Sequence, residues 1–228
     1  MEINADFGRR MALHADRLPW TPFPTPGVER RMLDRVGGEV ACATSIVRYP
    51  PGSNFPCHVH GGGEEFLVLE GVFSDENRDM PQGTYVRNPP GSAHSPRSAE
   101  GCTIFVKLWQ FQPDDDIAVR LAAEEIAFTP DGSRPGVHVA LLHKHPDELV
   151  RLERWEPGQV VELDLRHEGE FLVLDGTFVE SNERFRRQSW LRLPPGALLH
   201  AQAGPDGCCV WAKTQHLARV REQTCFAV

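Results

Sequence analysis

His58, His60 and His94, with Glu64 or Glu65 between them, are the residues of this sequence best equipped for chemistry. His58 and His60 are two apart, and side chains on a strand share a face at every second residue, so both imidazoles point the same way. Gly61-Gly62-Gly63 then permits a turn that returns a carboxylate alongside them. His94 follows Pro89-Pro90-Gly91, which reads as a turn because proline has no N–H for a central ladder. Three neutral imidazoles and one carboxylate form an N/O donor set for one divalent metal ion, with positions left open for water or substrate. Zinc or iron fits such a set, and so do manganese and nickel; donor type does not choose among them. Cys57 alternates to the opposite face of the strand and is expected to be buried as a small apolar residue.

These residues sit inside a duplication. Glu65 to Phe73 (EFLVLEGVF) is echoed by Glu170 to Phe178 (EFLVLDGTF), and Tyr85 to Gly91 (YVRNPPG) by Trp190 to Gly196 (WLRLPPG). Pro51-Gly52 pairs with Pro157-Gly158, and Gly101-Cys102 with Lys107 pairs with Gly207-Cys208 with Lys213, at an offset of 105 or 106 throughout. The comparison favours Glu64 as the metal ligand, with Glu65 as its rival. Glu65 has its counterpart in Glu170 and serves structure, whereas Glu64 falls opposite Gly169. Lys107 with Glu65, and Lys213 with Glu170, are expected to form structural ion pairs. In the second copy Asp164 and Arg166 fall where His58 and His60 lie, and His200 falls opposite His94 if one residue is inserted after Gly196. An arginine stays protonated and cannot ligate a cation, so the second copy is expected to be metal-free. An altered site from Asp164, His167, Glu170 and His200 is the alternative. His138, His143, His145 and His216 show no ligand spacing among themselves.

Each copy reads as short strands: apolar and β-branched runs such as Val40–Tyr49 and Thr103–Trp109, punctuated by 20 glycines and 19 prolines spread along the chain. The fold class is therefore all-β, with two small barrels or jelly rolls in tandem. The expected organisation is an extended arm at 1–30 anchored by Trp20 and Phe23, a first barrel at 31–113, a linker at 114–136 and a second barrel at 137–228. Residues 118–128 fit either a short capped helix or an edge strand returning to the first barrel. Phe66, Val68, Phe105 and Trp109 are expected to line a partly apolar pocket.

Composition narrows the function classes. The 228 residues carry a net charge of −8, which disfavours contact with nucleic-acid phosphates. The densest basic group, Arg184, Arg186 and Arg187, reads as a solvated loop. No apolar run approaches the ~18 residues of a membrane helix. Met11-Ala12-Leu13-His14 after Arg9-Arg10 is too short and polar for the core of a signal peptide, so a cytoplasmic protein is expected. Six cysteines without C-x-x-C spacing fit thiols better than bridges.

The spacing G-x5-H-x-H-x3-E-x6-G from Gly52 to Gly71, and G-x5-P-x-G-x2-H from Gly83 to His94, resembles the two cupin motifs. Pro89-Pro90-Gly91-Ser92-Ala93-His94, Gly101-Cys102 and Lys107-Leu108-Trp109-Gln110 resemble more narrowly the cupin module of ChrR-type anti-sigma factors and related cupin dioxygenases. The resemblance covers residues 20–112 and, more weakly, 137–216. It implies a bicupin of tandem double-stranded β-helix barrels, with His58, His60, Glu64 and His94 where that family's metal ligands stand. It implies a small-molecule ligand or substrate and a homodimer, and it leaves three functions, of which a storage or structural cupin with an incidental metal ranks below the other two. The first is a metal-dependent dioxygenase cleaving diketones or hydroxylated aryl ketones. The second is an oxidative-stress sensor; residues 1–20 lack the His-x3-Cys-x2-Cys pattern of the helical anti-sigma domain that precedes the cupin there.

Overall fold

A computed structural model of the chain describes residues 1–216 except 24 and 39. It contains strands and two short 3-10 turns, and it divides into two compact units. The first comprises Met1–Ala5 and Leu18–Glu125; the second comprises Asp6–Arg17 and the described chain from Ile126.

In the first unit, strands Glu29–Gly37, Ala41–Tyr49, Cys102–Leu108, Glu64–Ser74, Tyr85–Asn88 and Val119–Leu121 neighbour one another in that order. Cys102–Leu108 thus lies between two strands from earlier in the sequence, and every pairing is antiparallel. This non-sequential order is that of a jelly roll. A separate short ladder joins His58–Val59 to Ala93–His94. Val119–Leu121 settles the choice left open above: it is an edge strand on Tyr85–Asn88. Phe66, Val68, Phe73, Val86, Ile104 and Val106 form the centre of an apolar core, each contributing about 1.5–3 kcal/mol by burial. The guanidinium groups of Arg31 (4.2 Å) and Arg48 (4.3 Å) both pack on the Trp20 ring, and Phe23 packs against the core.

The second unit repeats the order with Val137–His145, Glu148–Trp155, Ala197–Thr214, Gly169–Glu180 and Ser189–Leu193. Met11–His14, from the segment expected to be an extended arm, adds a further strand beside Ser189–Leu193. Arg184 and Arg186 are exposed, as expected, but stand on strand Glu183–Arg186 rather than in a loop. The duplication holds at atomic detail. Gly71 and Gly176 both have φ near +70°, and a Cβ on either would lie 2.2 Å from a carbonyl oxygen, of Gly101 and Gly207 respectively. Only glycine fits so close a crossing. Cys102 and Cys208 pair with these glycines in register and are buried in their cores.

Candidate metal centre

His94 stands directly opposite His58 on the short ladder, and the ladder continues with His60 N donating to Ser92 O (2.9 Å) and Gly91 N to His60 O (2.8 Å). The imidazole centroids of His58, His60 and His94 are 4.6–5.2 Å apart. Each ring offers a nitrogen within 4.8 Å of the other two. Glu64 opens the strand Glu64–Ser74, and its Oε2 lies 3.4 Å from His60 Nε2 and 3.6 Å from His94 Nε2. His60 and His94 are buried; His58 is exposed. Cys57, expected to be buried, is exposed. It shares a face with Val59, which is 66% exposed, so that face of the short strand meets solvent.

Hydrogen bonding fixes which ring nitrogens are free. Ser92 Oγ donates to Pro89 O (2.6 Å), so towards His60 Nδ1 at 3.0 Å it can only accept. His60 is therefore protonated on Nδ1 and turns the Nε2 lone pair inward. His58 Nδ1 faces the carbonyl of Pro56 at 3.3 Å, with the same consequence. His60 Nε2 and His94 Nε2 then approach to 3.2 Å, a contact that calls for a cation or a proton between them. Burial, reinforced by the neighbouring imidazoles, pushes both His60 and His94 down to about 4, so the rings are neutral near pH 7. Burial raises Glu64 to about 7, against the lowering effect of the Asn88 amide, which donates to Oε2 (3.1 Å). This donor set fits a divalent metal ion.

Glu65 faces the other way. It accepts from Tyr85 OH (2.7 Å) and pairs with Arg87 (3.2 Å), which also holds Asp115 (2.6 Å). It stands in register with Lys107. The second-copy lysine, Lys213, stands in register with Glu170 and reaches Glu148 at 3.0 Å, a partner that spacing did not suggest. Successive residues of one strand thus divide between site and scaffold.

Above the histidines lies a cavity of about 400 Å³, walled by Val47, Tyr49, Phe55, Phe73, Val106 and Trp109 and floored by His58, His60 and Glu64. Among the described residues that line it there is no lysine or arginine. Trp109 was expected there; Phe66 and Val68 instead pack in the core, and Phe105 lies one residue from the lining Val106, on the opposite strand face.

The second unit corrects the sequence alignment. Gly196 N donates to Leu165 O (2.7 Å) as Gly91 N does to His60 O, and Leu199 pairs with Leu163 as His94 does with His58. The counterparts of His58, His60, Glu64 and His94 are therefore Leu163, Leu165, Gly169 and Leu199, not Asp164, Arg166 and His200. A Cβ on Gly169 would meet Leu165 Cδ2 at 2.9 Å: leucine fills the space that a carboxylate would need. Of the alternative donor set, Asp164, His167 and His200 are exposed, while Glu170 is buried beside His216 Nε2 (3.2 Å).

The sequence profile of the ChrR cupin-like domain matches residues 8–112 and again 116–218. The chain belongs to that family. Its structure is similar to that of a Nostoc punctiforme protein provisionally described as a dioxygenase, with a TM-score of 0.78 and 14% identity over 92% of this chain and 84% of that one. It is also similar to salicylate 1,2-dioxygenase of Pseudaminobacter salicylatoxidans (TM-score 0.64, 12% identity, 96% and 87% covered). A third neighbour is oxalate decarboxylase of Lactobacillus farciminis in its formate complex (TM-score 0.64, 10% identity, 90% and 86% covered). At these identities the neighbours establish the cupin fold. No curated protein matches the sequence. Among the described residues no helix is long and apolar enough to cross a membrane.

Proposed function

We propose that the first barrel of this bicupin holds one divalent metal ion through His58, His60, Glu64 and His94, and that the protein is a metal-dependent dioxygenase acting on a small, largely apolar molecule. The observation that carries this reading is the convergence of three imidazoles and one carboxylate, with His58, His60 and Glu64 at the floor of an apolar cavity whose described lining holds no lysine or arginine. Iron is the ion that suits this chemistry; zinc, manganese and nickel fit the same donors. When bound, such an ion supplies a Lewis-acid centre and, in the case of iron, a redox-active one. The chain's own residues set the conditions. Ser92 holds the His60 tautomer, Asn88 orients Glu64, and Tyr49, Phe55, Phe73 and Trp109 give the cavity above them an apolar, aromatic wall. Tyr49 lines the cavity, and burial raises its phenol far above the ordinary range, so it remains a protonated donor. A substrate with an apolar body and one or two oxygen acceptors, such as a diketone or a hydroxylated aryl ketone, matches this lining; a dianion would lack a counter-charge. A homodimer in the cytoplasm accompanies this reading.

Oxygen uptake by the iron-loaded protein with a panel of diketones and hydroxylated aryl ketones tests it. Turnover that disappears in His60→Ala supports the dioxygenase. A zinc-loaded protein as isolated, inert to oxygen with iron or zinc across the panel, would contradict it and favour the sensor.

A further inference from the structure

The turn that joins His60 to Glu64 consists of three glycines, and aromatic rings occupy the space beside them. A Cβ on Gly62 would fall 2.2 Å from Trp109 Cδ2, and one on Gly61 would fall 2.9 Å from Trp109 Cζ2, so the indole lies over both residues. Gly63 meets Phe111 in the same manner at 2.4 Å, and the buried Arg87 guanidinium lies over the same ring at 4.2 Å. Trp109 N also donates to Gly63 O (3.2 Å).

The second barrel supplies a control within the same chain. Gln215 N bonds to Glu168 O (3.4 Å), and Gln215 has a positive φ (73°) as Trp109 does (59°), so the backbone crossing is kept. The side chains are not. Gln215 stands where Trp109 does, and Arg166-His167-Glu168 stands where the three glycines do. The indole-on-glycine contact is absent from the barrel that has leucines at the ligand positions. The backbone turn alone does not require it.

We propose that Trp109 is a positioning residue for Glu64: by stacking on Gly61 and Gly62 it holds the glycine turn in the one course that brings the carboxylate to His60 and His94. This rests on the metal reading above. Trp109 is 39% exposed, so its removal should leave the core intact.

The test is a double-mutant cycle on zinc affinity, measured by competition with a chromophoric chelator on the full chain. Trp109→Ala and Gly62→Ala should each weaken zinc about 10–100-fold, the usual loss when support to a ligand is removed. Trp109→Phe should recover most of the affinity. The deciding arm combines Trp109→Ala with Glu64→Gln. If the indole acts through Glu64, the double variant binds no more weakly than Glu64→Gln alone. Losses that multiply, or Trp109→Ala with wild-type affinity, would overturn the proposal. Unchanged affinity in a parallel His60→Ala sample would overturn the metal reading itself, which separates the two failures. Should Trp109→Ala fold poorly, Gly62→Ala with and without Glu64→Gln gives the same cycle from the other side of the contact.

Discussion

Replacing Glu64 and Glu65 one at a time by glutamine should give opposite results, although the two are adjacent. Glu65 is bonded to Tyr85 and paired with Arg87, whose guanidinium is fully buried. Taking one partner from a buried ion pair costs about 3–5 kcal/mol. Arg87 keeps Asp115 at 2.6 Å, so Glu65→Gln should fall at the lower end, about 3 kcal/mol. For a chain of this size that is a loss of about 6–12 °C in Tm. Its metal content should stay at the wild-type level. Glu64→Gln removes a carboxylate that burial already pushes up to about 7, so its effect on the metal-free Tm should be small. Its metal affinity should fall by more than the roughly 10–100-fold that loss of an outer-shell support costs. Calorimetry of the metal-free proteins and metal titration of the same samples measure both quantities. Glu65→Gln losing metal at unchanged Tm, or Glu64→Gln retaining wild-type affinity, would refute the division of roles.

Three further outcomes follow from the same geometry. The metal-free protein should lose stability as pH falls from about 6.5 towards 4, because the unfolded chain binds protons at His60 and His94 before the folded one does, an effect of two groups that Glu64, protonated first in the folded chain, offsets only in part; denaturant midpoints across that range should show the decline, and a double His60→Leu, His94→Leu variant should lose the part due to these rings. With a thiol reagent at pH 8, Cys57 should react at once, while Cys102, raised by burial to about 11, and Cys208, raised further, should react only on unfolding; Cys57→Ser should lower the fast phase by one thiol per chain. Leu165→Ala, in the core of the second barrel, should cost about 2–5 kcal/mol and leave metal stoichiometry unchanged; metal lost with it would contradict the assignment of the ion to the first barrel.

The two motifs in the first copy made the grouping of His58, His60, Glu64 and His94 legible, because spacing on strands and tight turns is fixed by pleat and proline geometry. The choice of Glu64 over Glu65 came from the repeat, and the structure separates the two carboxylates in the same sense. The second copy was misaligned by one residue at the strand carrying Leu163 and Leu165 and again at Leu199. Between Gly158 and Leu163 the second copy is one residue shorter than the first, and after Leu199 it is one longer. Turn lengths are invisible to spacing, and a slip of one exchanges the two faces of a strand. The same limit explains why Phe105 was placed in the cavity instead of Val106. The stacking of Trp109 on the glycine turn left no sequence signal beyond the glycine run itself.

The most direct test of the central claim is elemental analysis of the purified wild-type protein beside His58→Ala and His94→Ala. The structure predicts about one divalent metal ion per chain, lost from both variants. Wild-type protein that takes up no metal on reconstitution, or variants that keep it, would contradict the account; two ions per chain would contradict the metal-free second barrel.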